Sequence, residues 1–551
     1  DSLTARGFLD AHRKDVATGA IFLILVGLVL LIASANVANL TLARSEGRRR
    51  DLAVRAALGA SRSRLIGQGM MESLSLSVAG AVGGLILASW LVELFRMLIP
   101  PGAVTYVLDV RFDIRMYVFT ALLTLTTALL VGALPAWRGT RADILTGLKE
   151  GGTGGLHLHG RARDFLIITQ VAVSVIVLIA SGLLVKSLAN SLRINPGFDP
   201  HKNVATFYMV PGLRNYDAPG TYRFFERARQ AAGSLPGVIR TSYGIRLPAQ
   251  LNESGWADFT IPGHQPPPGQ DHIRIKYTMV GPNYFEVMGT RILSGRGIVD
   301  TDLPTGPAVA VVNDTMARRM WPGENPIGKT IVMGSQDPVQ REVVGVAENN
   351  KISGLYEDQE MYVYVPFAQD QQFFGLLLVE VAGDPESVFG SVKSAIAGID
   401  SNVPVLDTGT FSGHMETVLY EERRDAWVAA ALSVVSFFLG VVGVYGVVSL
   451  LTARRMKEIG IRIALGAKRK DVLRLVFGDV LRLTAIGAGL GIGGGIIAGH
   501  LLQSRLHGVS STDPWNLVTG TAIFVAGAIL ASLVPTMRAT HADPCATLKV
   551  E

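Results

Sequence analysis

Apolar positions in this chain gather into about seven long runs, set apart by polar, basic or glycine-rich segments. The first runs from about Val16 to Ala43, with its apolar core over Ala20 to Ala35. The others lie at about Leu65 to Phe95, Met116 to Ala136, Phe165 to Leu188, Ala426 to Leu451, Val472 to Leu502 and Trp515 to Pro535. A helix rising 1.5 Å per residue crosses a bilayer in about 20 apolar residues, so each run predicts a spanning helix. Asn36 and Asn39, near the end of the first run, are polar: they either hydrogen-bond between helices or lie at the interface, and the interface is the favoured reading. Gly80, Gly83 and Gly84 in the second, and the run Gly487 to Gly499 in the sixth, are small residues that let helices approach closely in lipid. Residues 189–424 are different. There the apolar runs shorten, and the pattern predicts helices over Thr221 to Leu235, Asp314 to Met320, Pro385 to Ile399 and Ser412 to Arg424. Strands are predicted at Val238 to Tyr243, Ala308 to Val312, Arg341 to Val346, Tyr362 to Val365 and Leu376 to Val381. The fold class is therefore a membrane α-helical bundle of about seven spans with an inserted mixed α/β domain.

Two of the basic segments are nearly the same. Arg48 to Arg64 reads RRRDLAVRAALGASRSR, and Arg454 to Arg474 reads RRMKEIGIRIALGAKRKDVLR. At an offset of 407 residues Asp51 falls on Glu458, Arg55 on Arg462, Leu58 on Leu465, Gly59 on Gly466 and Ala60 on Ala467. Acid and arginine are four apart, helical spacing worth about 0.3–0.5 kcal/mol for an exposed pair. Each glycine stands where a helix ends in a left-handed residue. The pattern predicts a short helix, a glycine stop and a new helix entering the membrane. A basic helix that merely fixes topology is the plainer reading, but topology needs charge and does not need a repeated Leu-Gly-Ala corner. The third and seventh runs end alike too: Pro135, Arg138, Thr140, Ala142, Asp143, Leu148 and Lys149 match Pro535, Arg538, Thr540, Ala542, Asp543, Leu548 and Lys549 at an offset of 400. The chain is an internal duplication.

Both corners resemble the cytoplasmic coupling segment of FtsX-like permeases, the superfamily of the MacB macrolide exporter and the lipoprotein-release permeases. The duplication is most similar to the orphan duplicated-permease branch. The central region adds PNYFEVMGTRILSGR (Pro282 to Arg296) and MWPGENPIGK (Met320 to Lys329), which resemble the MacB-like extracytoplasmic domain. The resemblance implies a permease subunit of an ABC-type machine. A separate ABC ATPase would dock on Asp51, Arg55, Leu58, Gly59, Ala60, Glu458, Arg462, Leu465, Gly466 and Ala467. ATP then acts through that partner, with no cofactor bound by this chain. Further partners implied are membrane lipid and a periplasmic adaptor or second permease copy, and the location is the bacterial inner membrane. The work would be export or extraction of a substrate; the alternative is a signalling or scaffold permease that activates an extracytoplasmic enzyme.

The domain organisation that follows is a first FtsX-like module over 1–150, a linker over 151–164, a first span of the second module over 165–188, the extracytoplasmic domain over 189–424 and the rest of the second module over 425–551. The second copy has a span and an α/β domain that the first lacks, and the simplest account places those upstream of Asp1.

Composition agrees. The 551 residues are 49% hydrophobic and 17% charged, with mean hydropathy +0.34, apolar for a water-soluble protein. The net charge of +6 sits beside the apolar runs, which makes it a topology and partner signal and not a nucleic-acid surface. Arginine and lysine concentrate after runs one, three, five and seven and before run four. By the positive-inside rule these ends are cytoplasmic and the α/β region lies outside. One cysteine, Cys545, excludes an internal disulfide and a cysteine-based metal cluster. His157 and His159, in the glycine-rich stretch GGTGGLHLHG, are read as solvated linker residues. Asp425, Glu72 and Glu93 stand near span ends and are read as reaching for the interface. Gly323 to Thr330, GENPIGKT, fits the phosphate-loop pattern of ATPases. That loop needs a strand before it and a helix after it, whereas here a helix precedes and a strand-like TIVMG follows. The match is read as a structural turn.

Overall fold

A computed structural model describes residues 19–20, 22–37, 61–97, 113–141, 156–250, 255–266, 268–335, 337–370, 372–454, 461–462 and 469–540. They form two compact units, a helical one and an α/β one over Ser191–Glu421. The helical unit begins with α1 (Phe22–Val37), α2 (Arg62–Met97), α3 (Ile114–Arg141) and α4 (Leu156–Ser191). Helix α4 starts at Leu156, inside the stretch that composition reads as a linker, so His157 and His159 are helical.

In the α/β unit, β1 (Val204–Met209) leads to α5 (Ala218–Gly233), β2 (Val238–Gly244), β3 (Gly255–Thr260) and β4 (Ile273–Val280). Then come α6 (Tyr284–Met288), β5 (Ile292–Gly295), β6 (Val309–Asn313), α7 (Asp314–Met320), β7 (Thr330–Met333), β8 (Val339–Ala347), β9 (Tyr362–Pro366) and β10 (Gly375–Val381). The unit ends with α8 (Phe389–Ile399), β11 (Val405–Thr410) and α9 (Phe411–Val418). Asp217 starts α5 by accepting from the Gly220 amide at 2.7 Å, with Pro219 in the first turn. The helix buries Phe224, Phe225, Ala228 and Ala232, one face at helical spacing. Strands β6 and β9 are buried at every position, which suits runs as apolar as VAVVN and YVYVP. Parallel pairing of β4 with β9 closes β4-β3-β7-β8-β6-β9 into a ring. Strands β2, β10, β1 and β11 continue the sheet from it, joined through Gly244 opposite Val280.

Two elements depart from the sequence reading. The helix expected over Pro385 to Ile399 opens with a tight 3-10 turn, Pro385–Val388, before α8. The helix expected over Ser412 to Arg424 is divided at Leu419, where α9 ends and α10 (Tyr420–Arg454) begins.

Helices α11 (Arg469–Leu501) and α12 (Pro514–Thr540) complete the helical unit. Among the described residues four helical segments are long and apolar enough to cross a bilayer: Asp164–Ser191, Tyr420–Ala453, Phe477–Leu501 and Pro514–Met537. The other three expected spans fall on shorter apolar stretches, Phe22–Val37, Ser77–Trp90 and Ile114–Thr126. Proline does not end the last helix. It runs through Pro535 to Thr540, while Ser532 and Thr536 donate to the carbonyls of Ala528 and Ser532, hydroxyl support of the kind that lets proline stay inside spanning helices.

Candidate coupling and transmission site

Of the ten predicted docking residues, Asp51, Arg55, Leu58, Gly59, Ala60, Glu458, Leu465, Gly466 and Ala467 lie outside the described residues. Arg462 is helical and exposed. The helices that follow the two corners start at equivalent places: α2 at Arg62, two residues past Ala60, and α11 at Arg469, two past Ala467. Helices α3 and α12 likewise start at Ile114 and Pro514, counterparts at the offset of 400.

Helix α4 is the hub of the helical unit. Along α11, Gly487, Gly491, Gly495 and Gly499 recur every fourth residue, and along α4 so do Val171, Val175, Ile179 and Leu183. The two rows interlock. A Cβ at Gly487 would stand 2.7 Å from Val171 Cβ, one at Gly491 2.7 Å from Val175 Cβ, and one at Gly495 2.7 Å from Ile179 Cδ1. These approaches are open only to glycine, and they bring the backbones together as small residues do in lipid.

Polar clasps fix the other sides of α4. Gln170, fully buried in an apolar run, donates to the carbonyls of Leu439 and Gly440 on α10, each at 3.1 Å. Asn516 of α12 donates to the Ile179 carbonyl at 2.8 Å. At the other end of the helix Lys186 pairs with Asp513 at 2.6 Å, Ser187 accepts from the His507 amide, and Asn190 donates to the Gly508 carbonyl. Asn36 takes the interhelical alternative and not the favoured interfacial reading: its Nδ2 donates to the Leu439 carbonyl on α10 at 2.7 Å. Asp425 corrects the sequence reading. It is buried, held by Arg424 at 2.9 Å with Arg505 at 4.0 Å, and does not reach for the interface. A polar group left without any partner in an apolar setting is costly, so a partner within the protein wins. A lone glutamine in a continuous apolar run is a legible signal that the sequence reading passed over.

The phosphate-loop match has the flanking order expected of a turn. Helix α7 precedes it and β7 follows. Gly323 and Gly328 take φ values of +76° and +82°, left-handed positions that favour glycine. Lys329 reaches back to Glu324 at 2.7 Å, and the Gly328 amide is spent on the Val343 carbonyl. Lys329 is followed by strand β7 and not by a helix, so the corner does not have the loop-to-helix row of amides that holds phosphate in such ATPases.

Comparison with known proteins extends these observations. The model of the FtsX-like permease C-terminal family matches two stretches, residues 23–144 and 430–544, and that of the MacB-like periplasmic core domain matches residues 165–397. The chain belongs to the FtsX-like, MacB-like family of ABC transporter permeases. It is similar to an uncharacterized ABC transporter permease, YknZ, of Bacillus subtilis, 28% identical over 49% of this chain and 69% of that one. It is also similar to a macrolide export ATP-binding/permease protein, MacB 2, of Aeromonas hydrophila, 26% identical over 52% of this chain and 45% of that one. The chain thus spans less than half the length of its MacB-type relative. Among solved structures, the periplasmic region of MacB from Actinobacillus actinomycetemcomitans matches at 13% identity with a TM-score of 0.28, over 40% of this chain and 94% of that one.

The core domain of this permease carries an open groove of about 410 Å³ beside α5. Arg229 bridges Glu226 and Asp300 along its wall, at 2.6 Å each, and Tyr243 donates to Glu226. Burial pushes the Glu226 carboxyl up, but Arg229 outweighs it and holds the group below the usual carboxylate range. Among the described residues no group of His, Cys, Asp and Glu has metal-site spacing.

Proposed function

We propose that this permease transmits the work of a separate ABC-type ATPase to its α/β domain on the far side of the bacterial inner membrane, for export or extraction of a substrate. The ATPase docks at the two cytoplasmic corners, Asp51 to Ala60 and Glu458 to Ala467, and about seven spans carry the motion. ATP is turned over by the partner and not by this chain. The observation that carries the reading is the construction of α4 and α10. Helix α4 runs unbroken from Leu156 to Ser191, where the α/β unit begins, and α10 starts at Tyr420, where that unit ends. Gln170, Ser174 and Ser433 tie the two helices to each other. A displacement applied at the corners would be carried along stiff, close-packed helices to the points at which the chain enters and leaves the α/β unit. The family's ATP-binding/permease relatives support the ATPase partner.

The test is charge reversal at both corners, Asp51→Arg with Glu458→Arg. The expected result is loss of ATPase co-purification with membrane insertion retained. Undiminished co-purification would end the docking assignment.

A further inference from the structure

We propose that the α/β unit binds one halide-sized anion, such as chloride, in a small cavity between Arg246 and the tyrosines Tyr284, Tyr362 and Tyr364. The cavity holds about 20 Å³, room for a single guest the size of a water or a halide. Thr278 and Asn350 complete the polar part of its wall. The lining carries one cation, Arg246, and no acid.

The groups left without partners select the guest. Arg246 is half-buried, and its Nη1 is fully buried with no hydrogen-bond partner. Among the described residues no carboxylate pairs with it. Thr278 Oγ1 and Asn350 Oδ1 are also buried and unpartnered, on side chains only 4% and 8% exposed. The Tyr362 and Tyr364 hydroxyls stand near them without closing a full hydrogen bond. Burial pushes all three phenols above their ordinary value, so they stay neutral and offer hydroxyls, not a countercharge. A buried guanidinium nitrogen with neither a partner nor a countercharge is costly. Water would satisfy its hydrogen bond and leave the charge; an anion satisfies both. Asn350 can join the donors. Its Nδ2 now donates to the Thr290 hydroxyl at 2.9 Å. Turning the amide over keeps that contact, with the hydroxyl donating, and leaves Nδ2 as the free end.

Main-chain bonds hold this wall in place. Ala249 takes φ +60°, a left-handed value uncommon outside glycine. Its amide donates to the Lys351 carbonyl at 3.0 Å, and the Lys351 amide to the Pro196 carbonyl at 2.8 Å. The Pro248 carbonyl accepts from His414 of α9 at 2.9 Å. Pro196 lies five residues past the end of α4, and only Leu419 separates α9 from α10. An anion that draws Arg246, Thr278 and Asn350 together therefore fastens the segments by which the chain enters and leaves the α/β unit.

The site needs no ATPase, and its test involves none. Thermal melts of the purified full-length chain in detergent are compared as sodium chloride replaces sodium gluconate at constant ionic strength. Gluconate is too large for the cavity. The expected result is a saturable rise of about 2–4 °C in melting temperature with chloride, and with bromide in its place. Arg246→Gln should lose that rise. Asn350→Asp, which keeps the size and supplies a fixed carboxylate, should lose it too, and should melt in gluconate about where the wild type melts in chloride. Equal melting of the wild type in both salts would mean a cavity holding water only and would overturn the proposal. A saturable rise that persists in Asn350→Asp would place the anion elsewhere and overturn it as well, so the test stays decisive if Arg246→Gln fails to fold.

Discussion

At the residue scale, polar side chains in apolar surroundings decide most of what is specific here. Asn36, Gln170 and Asn516 each spend an amide on a main-chain carbonyl of another helix, a contact worth about 1 kcal/mol in lipid. In the α/β unit His414 is the comparable case. Its Nε2 donates to the Pro248 carbonyl at 2.9 Å, and its ring stacks on Phe411. Burial pushes the imidazole below its ordinary value, so the fold holds it neutral. The unfolded chain then takes up a proton near pH ~6.5 while the folded chain resists. Stability is full above that pH and is lost as pH falls toward the folded value, with a slope of at most about 1.4 kcal/mol per pH unit for one proton. Thermal melts of the purified chain between pH 7.5 and 5 should therefore show a smaller loss in His414→Gln than in wild type. Equal losses would count against His414.

At the element scale, the glycine row of α11 is a packing code and not a flexible stretch. A Cβ at Gly491 would meet Val175 Cβ at 2.7 Å and the Ala172 carbonyl oxygen at 2.9 Å, whereas nothing lies within 4 Å of one at Gly489. Gly491→Val should push α11 off α4 and destabilise the helical unit by about 1–3 kcal/mol or more, while Gly489→Val should be close to neutral. Thermal stability in detergent, followed by size exclusion, separates the two. Equal tolerance of both would show that the rows do not interlock. Sequence alone displayed the row but not its partner. The four-residue period of Val171, Val175, Ile179 and Leu183 is indistinguishable from any apolar helix face until α11 is laid against it.

At the scale of the whole molecule, the proposed topology is open to direct labelling. With Cys545→Ser as background, Thr301→Cys in the α/β unit should react with an impermeant thiol reagent in intact cells exposing the outer face of this membrane, and Gly460→Cys should not. The reverse pattern would remove the cytoplasmic placement of both corners, and the docking role with it.

The sequence by itself determined the duplication, the apolar runs, the presence of a mixed α/β region and the turn nature of GENPIGKT. Each of these is a local or periodic signal: run length, spacing of identical residues, glycine and proline placement. Strand β4 was within its reach too, since Ile273, Ile275, Tyr277 and Met279 alternate with Arg274, Lys276 and Thr278. Tertiary structure alone decided the rest. Which strands pair, and that β4 meets β9 to close the ring, depends on contacts about 90 residues apart, and no local pattern encodes the choice. Asn36 and Asp425 look interfacial in sequence because they stand near the ends of apolar runs. They are inward-facing because carbonyls on α10 and two arginines wait within reach there. Burial of a polar group depends on where its partner ends up, and the fold alone supplies that partner.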